Sequence, residues 1–187
     1  MKKYSEDYDI DIVVDDKGRS KDIAVYIGDY YDVSLDEAGV PRFRKINLAL
    51  LVLIAFWHLG GGFIGNPGMY QFYVALPYVV AFFPIVYLAS GIINLPREKR
   101  NYKRDEIGLS FDRIKTMSII SMAILGVGVL GEIVFIAFFA STPDRILEFL
   151  YLSLELLAAA GLFLVFRLRQ RVVITLEKNR RLITSHL

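Results

Sequence analysis

The chain has 187 residues, 55% of them hydrophobic, and a formal net charge of +2, with a positive mean hydropathy of +0.43. One modest domain of this length carries more apolar surface than a water-soluble core absorbs. There is no cysteine, and His58 and His186 are the two histidines, which excludes disulfide frameworks, thiolate or histidine-rich metal centres, thiol nucleophiles and thiol–quinone oxidoreductases.

Residues 1–45 read as an acidic N-terminal segment: positions 1–40 hold eleven acidic and five basic side chains, and the remainder of the chain is basic by eight. Within it, 8–14 (YDIDIVV) alternates apolar and acidic residues, Asp15-Asp16-Lys17-Gly18 supplies turn chemistry, and 22–27 continues with β-favouring residues, which predicts a β-hairpin. The acidic run Asp9, Asp11, Asp15, Asp16 lacks the spacing of a calcium loop, with valine at 13 and no suitably placed glutamate, and reads as solvated strand edge.

Four apolar stretches reach the roughly 20 residues needed to cross a bilayer: 46–65, 69–93, 116–140 and 146–166. The first begins after a long polar segment, so it is not expected to be a cleaved signal peptide. Arg42, Arg44 and Lys45 precede the first stretch; Arg97, Lys99, Arg100, Lys103, Arg104, Arg113 and Lys115 crowd the 94–115 loop; Arg167, Arg169 and Arg171 follow the fourth. The connections between stretches one and two and between three and four are short and nearly uncharged, so the basic side is expected to be cytoplasmic. The predicted fold is an all-α membrane protein. It is a four-transmembrane-helix bundle of two helical hairpins spanning 46–166, set in the cell membrane as a multi-pass protein with cytoplasmic termini. Residues 167–187 form the C-terminal segment, in which 172–185 repeats the hairpin plan around Glu177-Lys178-Asn179-Arg180, and Ile107 to Ile114 is a further short strand candidate. The two terminal hairpins are expected to pair into one small cytoplasmic sheet, because an isolated hairpin is marginal in water.

Polar groups inside hydrocarbon need a reason. Counting inward from the outer helix ends at 1.5 Å per residue places His58, Glu132 and Glu155 at about 10–14 Å, with Tyr78 in the same layer. Each helix then contributes one group to an intramembrane polar cluster, His58, Tyr78, Glu132 and Glu155. Ser118, Ser121, Leu125, Gly128 and Glu132 share one helix face, as do Glu148, Tyr151, Glu155 and Ala158, and Asn47, Leu51, Ile54, His58, Gly61 and Gly65. Pro77 and Pro84, seven residues apart, are expected to kink one face and release the carbonyls of Tyr73 and Val80. Glu148, close to the helix start, reads as solvated. Gly126-Val127-Gly128-Val129-Leu130-Gly131 spells a dinucleotide-binding pattern but lies within an apolar stretch, where glycines serve helix contact.

No catalytic constellation is legible, and no enzyme activity, cofactor or metal is expected. The leading expectation is a non-catalytic accessory or regulatory subunit that binds a partner through its cytoplasmic segments; the alternative is a small proton-linked transporter or channel built on the Glu/His cluster, against the structural reading that both glutamates are protonated or hydrogen-bonded to His58 and Tyr78 and simply fix how the helices pack. The expected partners are the lipid bilayer, a cytoplasmic or membrane protein, and, because four helices enclose little space, further copies of the chain; nucleic acid is not among them.

Overall fold

The computed structural model describes residues 4–14, 20–139 and 145–177. The turns expected at 15–18 and 178–180, the second strand of the C-terminal hairpin and His186 lie outside them.

The chain opens with β1 (Tyr8–Val14) and β2 (Ser20–Tyr26), antiparallel from Tyr8 opposite Tyr26 to Val14 opposite Ser20. A third strand, β3 (Tyr30–Val33), leads into α1 (Gly39–Gly62). This helix starts seven residues before the apolar stretch because Asp36 accepts the Gly39 N–H at 2.6 Å, and Pro41 falls in the first turn, where no N–H is required. A 3-10 turn, Pro67–Tyr70, connects to α2 (Phe72–Ile93), which contains Pro77 and Pro84. After it come β4 (Tyr102–Lys103), α3 (Arg104–Ile107), a π-helical segment (Gly108–Asp112), α4 (Arg113–Phe138), α5 (Arg145–Gln170) and β5 (Ile174–Glu177).

The structure is mostly helical, and four of its helices are long and apolar enough to cross a membrane, the third running without interruption from Arg104 to Phe138. Large apolar side chains stay exposed around them, Phe63 at 89%, Phe138 at 77% and Phe83 at 68% among them, a belt that water does not tolerate at this extent. Succession along the chain gives two antiparallel pairs, but packing does not follow it. α1 packs chiefly on α5, α2 chiefly on α4, and α4 and α5 on each other, so the second pair forms the middle of the bundle and α1 barely meets α2.

The expectation for Ile107–Ile114 is corrected: this stretch is helical throughout. Glu106 accepts the Lys103 N–H at 3.0 Å and starts the helix, and Ile107, Phe111, Ile114 and Ser118 recur at helical spacing and are all buried, which outweighs β propensity. The single terminal sheet is corrected as well. β1 and β2 form their own two-stranded sheet, whereas the strand that meets the C-terminal segment is β3, at the centre of a three-stranded sheet ordered β4-β3-β5. Tyr31 lies opposite Tyr102 and Leu176, and Val33, fully buried, opposite Ile174.

The two sheets meet through tyrosines. Tyr8 donates to Asp105 at 3.0 Å, Tyr26 accepts the Arg104 N–H at 3.1 Å, and the Lys103 ammonium stands over both rings at 5.4 and 5.3 Å. Burial and the neighbouring Asp105 carboxylate push the Tyr8 hydroxyl up to about 12. At the same end of the bundle Arg169, the penultimate residue of α5, donates from Nε to the Phe111 carbonyl at 2.9 Å and from Nη1 to that of Val172 at 3.0 Å, and reaches Asp112 at 3.4 Å. It thereby joins α5 to the π-helical segment and to the approach of β5.

Candidate functional site

The three helix faces read from the sequence point inward. Ser118, Ser121, Leu125, Gly128 and Glu132 are buried on α4; Glu148, Tyr151, Glu155 and Ala158 on α5; and Asn47, Ile54, His58 and Gly61 on α1, with Leu51 half-buried and Gly65 exposed. Their histidine and glutamate side chains form two centres in the half of the bundle remote from the sheets.

The first joins α1 to α5. His58 Nδ1 lies 3.1 and 3.0 Å from the two carboxylate oxygens of Glu155, and both side chains are buried. The Tyr78 hydroxyl from α2 donates to the backbone carbonyl of His58 at 3.1 Å, while its ring packs at 4.5 Å on the imidazole. Phe82, one turn further along α2 and 5.4 Å from the Tyr78 ring, packs beside it with its centroid 4.6 Å from the imidazole. Nε2 of His58 is buried and has no hydrogen-bond partner. Of the four residues expected to share a site, His58, Tyr78 and Glu155 are thus together.

Glu132 belongs to the second centre, and its partner is Glu148. The reading of Glu148 as solvated is corrected: its exposure is 0%. The 63–71 connection folds across the end of the bundle, so that Asn66 Nδ2 donates to Glu148 at 2.5 Å and the Gly68 N–H donates to it at 2.9 Å. Glu132, also 0% exposed, lies beside Glu148 next to Gly68, and among the described residues neither of its oxygens has a hydrogen-bond partner. Gly68 permits the arrangement, since a Cβ there would collide with Glu132 and stand 2.9 Å from an oxygen of Glu148.

Tyr151 stands between the centres. It is buried on α5 midway in sequence between Glu148 and Glu155, with its ring centroid 6.3 Å from that of Tyr78. Along α5 the groups Glu148, Tyr151 and Glu155 cover about 10 Å of depth. Toward the sheets this line of protonatable groups ends on an apolar layer of Ile54, Ala81, Leu88, Leu125, Ala158 and Leu162, all buried. Beyond that layer polar groups resume with Asn47, Ser118, Ser121 and Arg169.

Two of the three glycines of the α4 pattern make helix contacts, a Cβ at Gly128 touching Pro77 and one at Gly131 standing 2.7 Å from the Tyr73 carbonyl oxygen, whereas Gly126 faces open space. Pro77, half-buried, therefore faces α4, and Pro84 is buried. Among the described residues no three His, Asp or Glu side chains converge as a metal site.

Sequence reasoning missed Asn66, Gly68, Glu148 and Tyr151 as members of the site. The signal for the last two was present, because they share the face of Glu155; nothing in Asn66-Pro67-Gly68 beyond turn chemistry announces that it folds back onto a carboxylate. No protein-family model, no curated protein and no solved structure matches the chain.

Proposed function

We propose that the chain is a non-catalytic polytopic membrane protein of the cell membrane, with its sheets and both termini cytoplasmic, that works as a small proton-linked transporter or channel. The observation that supports this reading is the pair of fully buried carboxyls, Glu132 and Glu148, which no basic side chain neutralises among the described residues around them. Two adjacent carboxylates in a dry site need added positive charge, and a shared proton supplies it. With Asn66 and the Gly68 N–H already donating to Glu148, Glu132 is the member that takes up the proton. The proton then has acceptors in sequence: Tyr151, Glu155 and His58, whose Nε2 has no partner. The apolar layer closes the route toward the sheets, so release on that side requires a movement of the bundle. α2, with its two prolines, is the helix whose backbone yields most readily.

Proteoliposomes containing an entrapped pH dye test the reading under an imposed pH gradient. The wild-type chain carries a proton flux that Glu132→Gln and Glu155→Gln each abolish. Flux absent from the wild type, or equal in all three, removes the proposal.

A second reading, an accessory subunit with a partner on its cytoplasmic segments, is favoured by one observation. Ile10 and Ile12, on one face of the β1–β2 hairpin, are 71% and 64% exposed, and Ile10 borders a cleft of about 590 Å³ that includes Tyr4, Tyr8, Ala24, Asp105 and Leu109. A partner that docks there should co-purify from native membranes with the wild type and not with Ile10→Lys/Ile12→Lys. Equal recovery excludes that reading.

A further inference from the structure

The β1–β2 sheet presents an open strand edge. The Ile27 N–H donates to the Asp7 carbonyl at 2.9 Å, and the register sets Tyr8 opposite Tyr26, so Asp9 with Val25 and Asp11 with Ile23 exchange the ladder bonds. The backbone N–H and C=O groups of Tyr8, Ile10 and Ile12 therefore point away from β2, along an edge that no strand pairs with among the described residues. The Ile10 N–H agrees with this phase: its acceptor is the carboxylate of its own neighbour, Asp9, at 2.8 Å.

Side chains alternate along the edge. Asp9 and Asp11 stand on one face, exposed and outside every ion pair among the described residues, and Tyr8, Ile10 and Ile12 stand on the other. On that second face the cleft of about 590 Å³ opens between the sheet and Leu109, bordered by Tyr8, Ile10 and Ala24. Two strands alone are marginal in water, and a third would cover both the edge and the isoleucines.

From these features we infer that β1 takes up, as a third strand along its free edge, an extended peptide segment of a partner protein that alternates cationic and apolar residues. The inference rests on the accessory-subunit reading and gives its partner a chemistry. Backbone pairing with Tyr8, Ile10 and Ile12 holds the segment, its cations lie beside Asp9 and Asp11, and its apolar residues cover Ile10, Ile12 and the cleft. Asp9 releases the Ile10 N–H to a carbonyl of the incoming strand and turns to one of its cations. The same two aspartates disfavour other occupants. A second copy paired edge to edge would set its own Asp9 and Asp11 against them, and a surface of anionic lipid repels them.

Fluorescence anisotropy of a labelled probe, the peptide Lys-Val-Lys-Val-Lys-Val-Lys, tests this on the full chain in micelles of an uncharged detergent, with the signal of empty micelles subtracted. A peptide with glutamate in place of every lysine is the control. The lysine peptide binds and the glutamate peptide does not. Asp9→Asn/Asp11→Asn weakens binding about fivefold. Ile12→Pro, which removes an outward N–H and none that β2 uses, weakens it about tenfold, whereas Ile12→Val keeps that N–H and binds as the wild type does. Unchanged amide exchange at Ile23 and Val25 shows the hairpin intact in Ile12→Pro, and the aspartate variant carries the test if it is not. Equal binding of the two peptides, binding of neither, or a Kd that an intact Ile12→Pro or the aspartate variant leaves unaltered overturns the inference. Co-purification from native membranes separates it from the underlying reading. A partner lost from Ile10→Lys/Ile12→Lys but kept by Ile12→Pro and by Asp9→Asn/Asp11→Asn removes the added strand and leaves the accessory subunit. Peptide binding with no partner lost from any variant removes the accessory subunit and leaves a strand-binding edge.

Discussion

Glu148 is fixed by an amide and a backbone N–H that have no other acceptor among the described residues, so its removal leaves two buried donors unpaired. Glu148→Ala should therefore lower stability by about 1–3 kcal/mol for each donor left unpaired, read as the change in unfolding midpoint in detergent. An unaltered midpoint would mean that the 63–71 connection does not cover the bundle. Tyr8 offers a test outside the bundle. Its hydroxyl is pushed up to about 12 from an ordinary value of 10, so the stability it contributes is complete below pH 10 and disappears as pH rises through 12. The 295 nm difference titration of wild type minus Tyr8→Phe should rise near pH 12; a rise near pH 10 would show that the Asp105 contact does not form in solution. At this scale the inward faces were legible, because three–four spacing of Ser, Gly, Glu and His within otherwise greasy stretches has few explanations besides burial. Depth counted along a helix was not enough for Glu148. Distance from a helix end says nothing about what folds across that end.

Among the elements, the helices were readable from hydropathy, and their ends were fixed by chemistry that hydropathy does not see: Asp36 extends α1 outward, and Glu106 with the Ile107, Phe111, Ile114 spacing turns a strand candidate into helix. β3 went unread because four residues, two of them tyrosine, show too little alternation to stand out. Arg169 makes the strongest mutational case. Replacing it with leucine leaves the Phe111 carbonyl without its donor and unfastens the start of β5, so amide hydrogen exchange across Ile174–Glu177 and Tyr30–Val33 should accelerate at least about tenfold, while exchange in α1 and α2 stays unchanged. Protection equal to wild type would show that the sheet holds without the arginine. Gly131→Val separates α4 from α2 through the Tyr73 carbonyl and should cost about 1–3 kcal/mol, measurable as a lower unfolding midpoint.

For the whole molecule, the exposed apolar belt has a direct consequence: the protein should remain with the membrane fraction through alkaline carbonate and become monodisperse only with detergent or lipid, and a soluble monomer in plain buffer would overturn the membrane reading. Hydropathy revealed that four helices exist, but not which of them touch, because apolar faces of similar composition do not name their partners; only packing shows α1 resting on α5 and α2 on α4. The sheets add an asymmetry. β3 leads into α1, β4 runs straight into α3 and through it to α4, and β5 follows α5, so one end of three long helices is tied by strand pairing and by the Arg169 contacts. At the opposite end, among the described residues, the Asn66–Gly68 connection lies over the acid pair. The molecule is thus pinned like a clothes-peg, sprung at the strand side, and whatever enters or leaves the two glutamates should pass between its jaws.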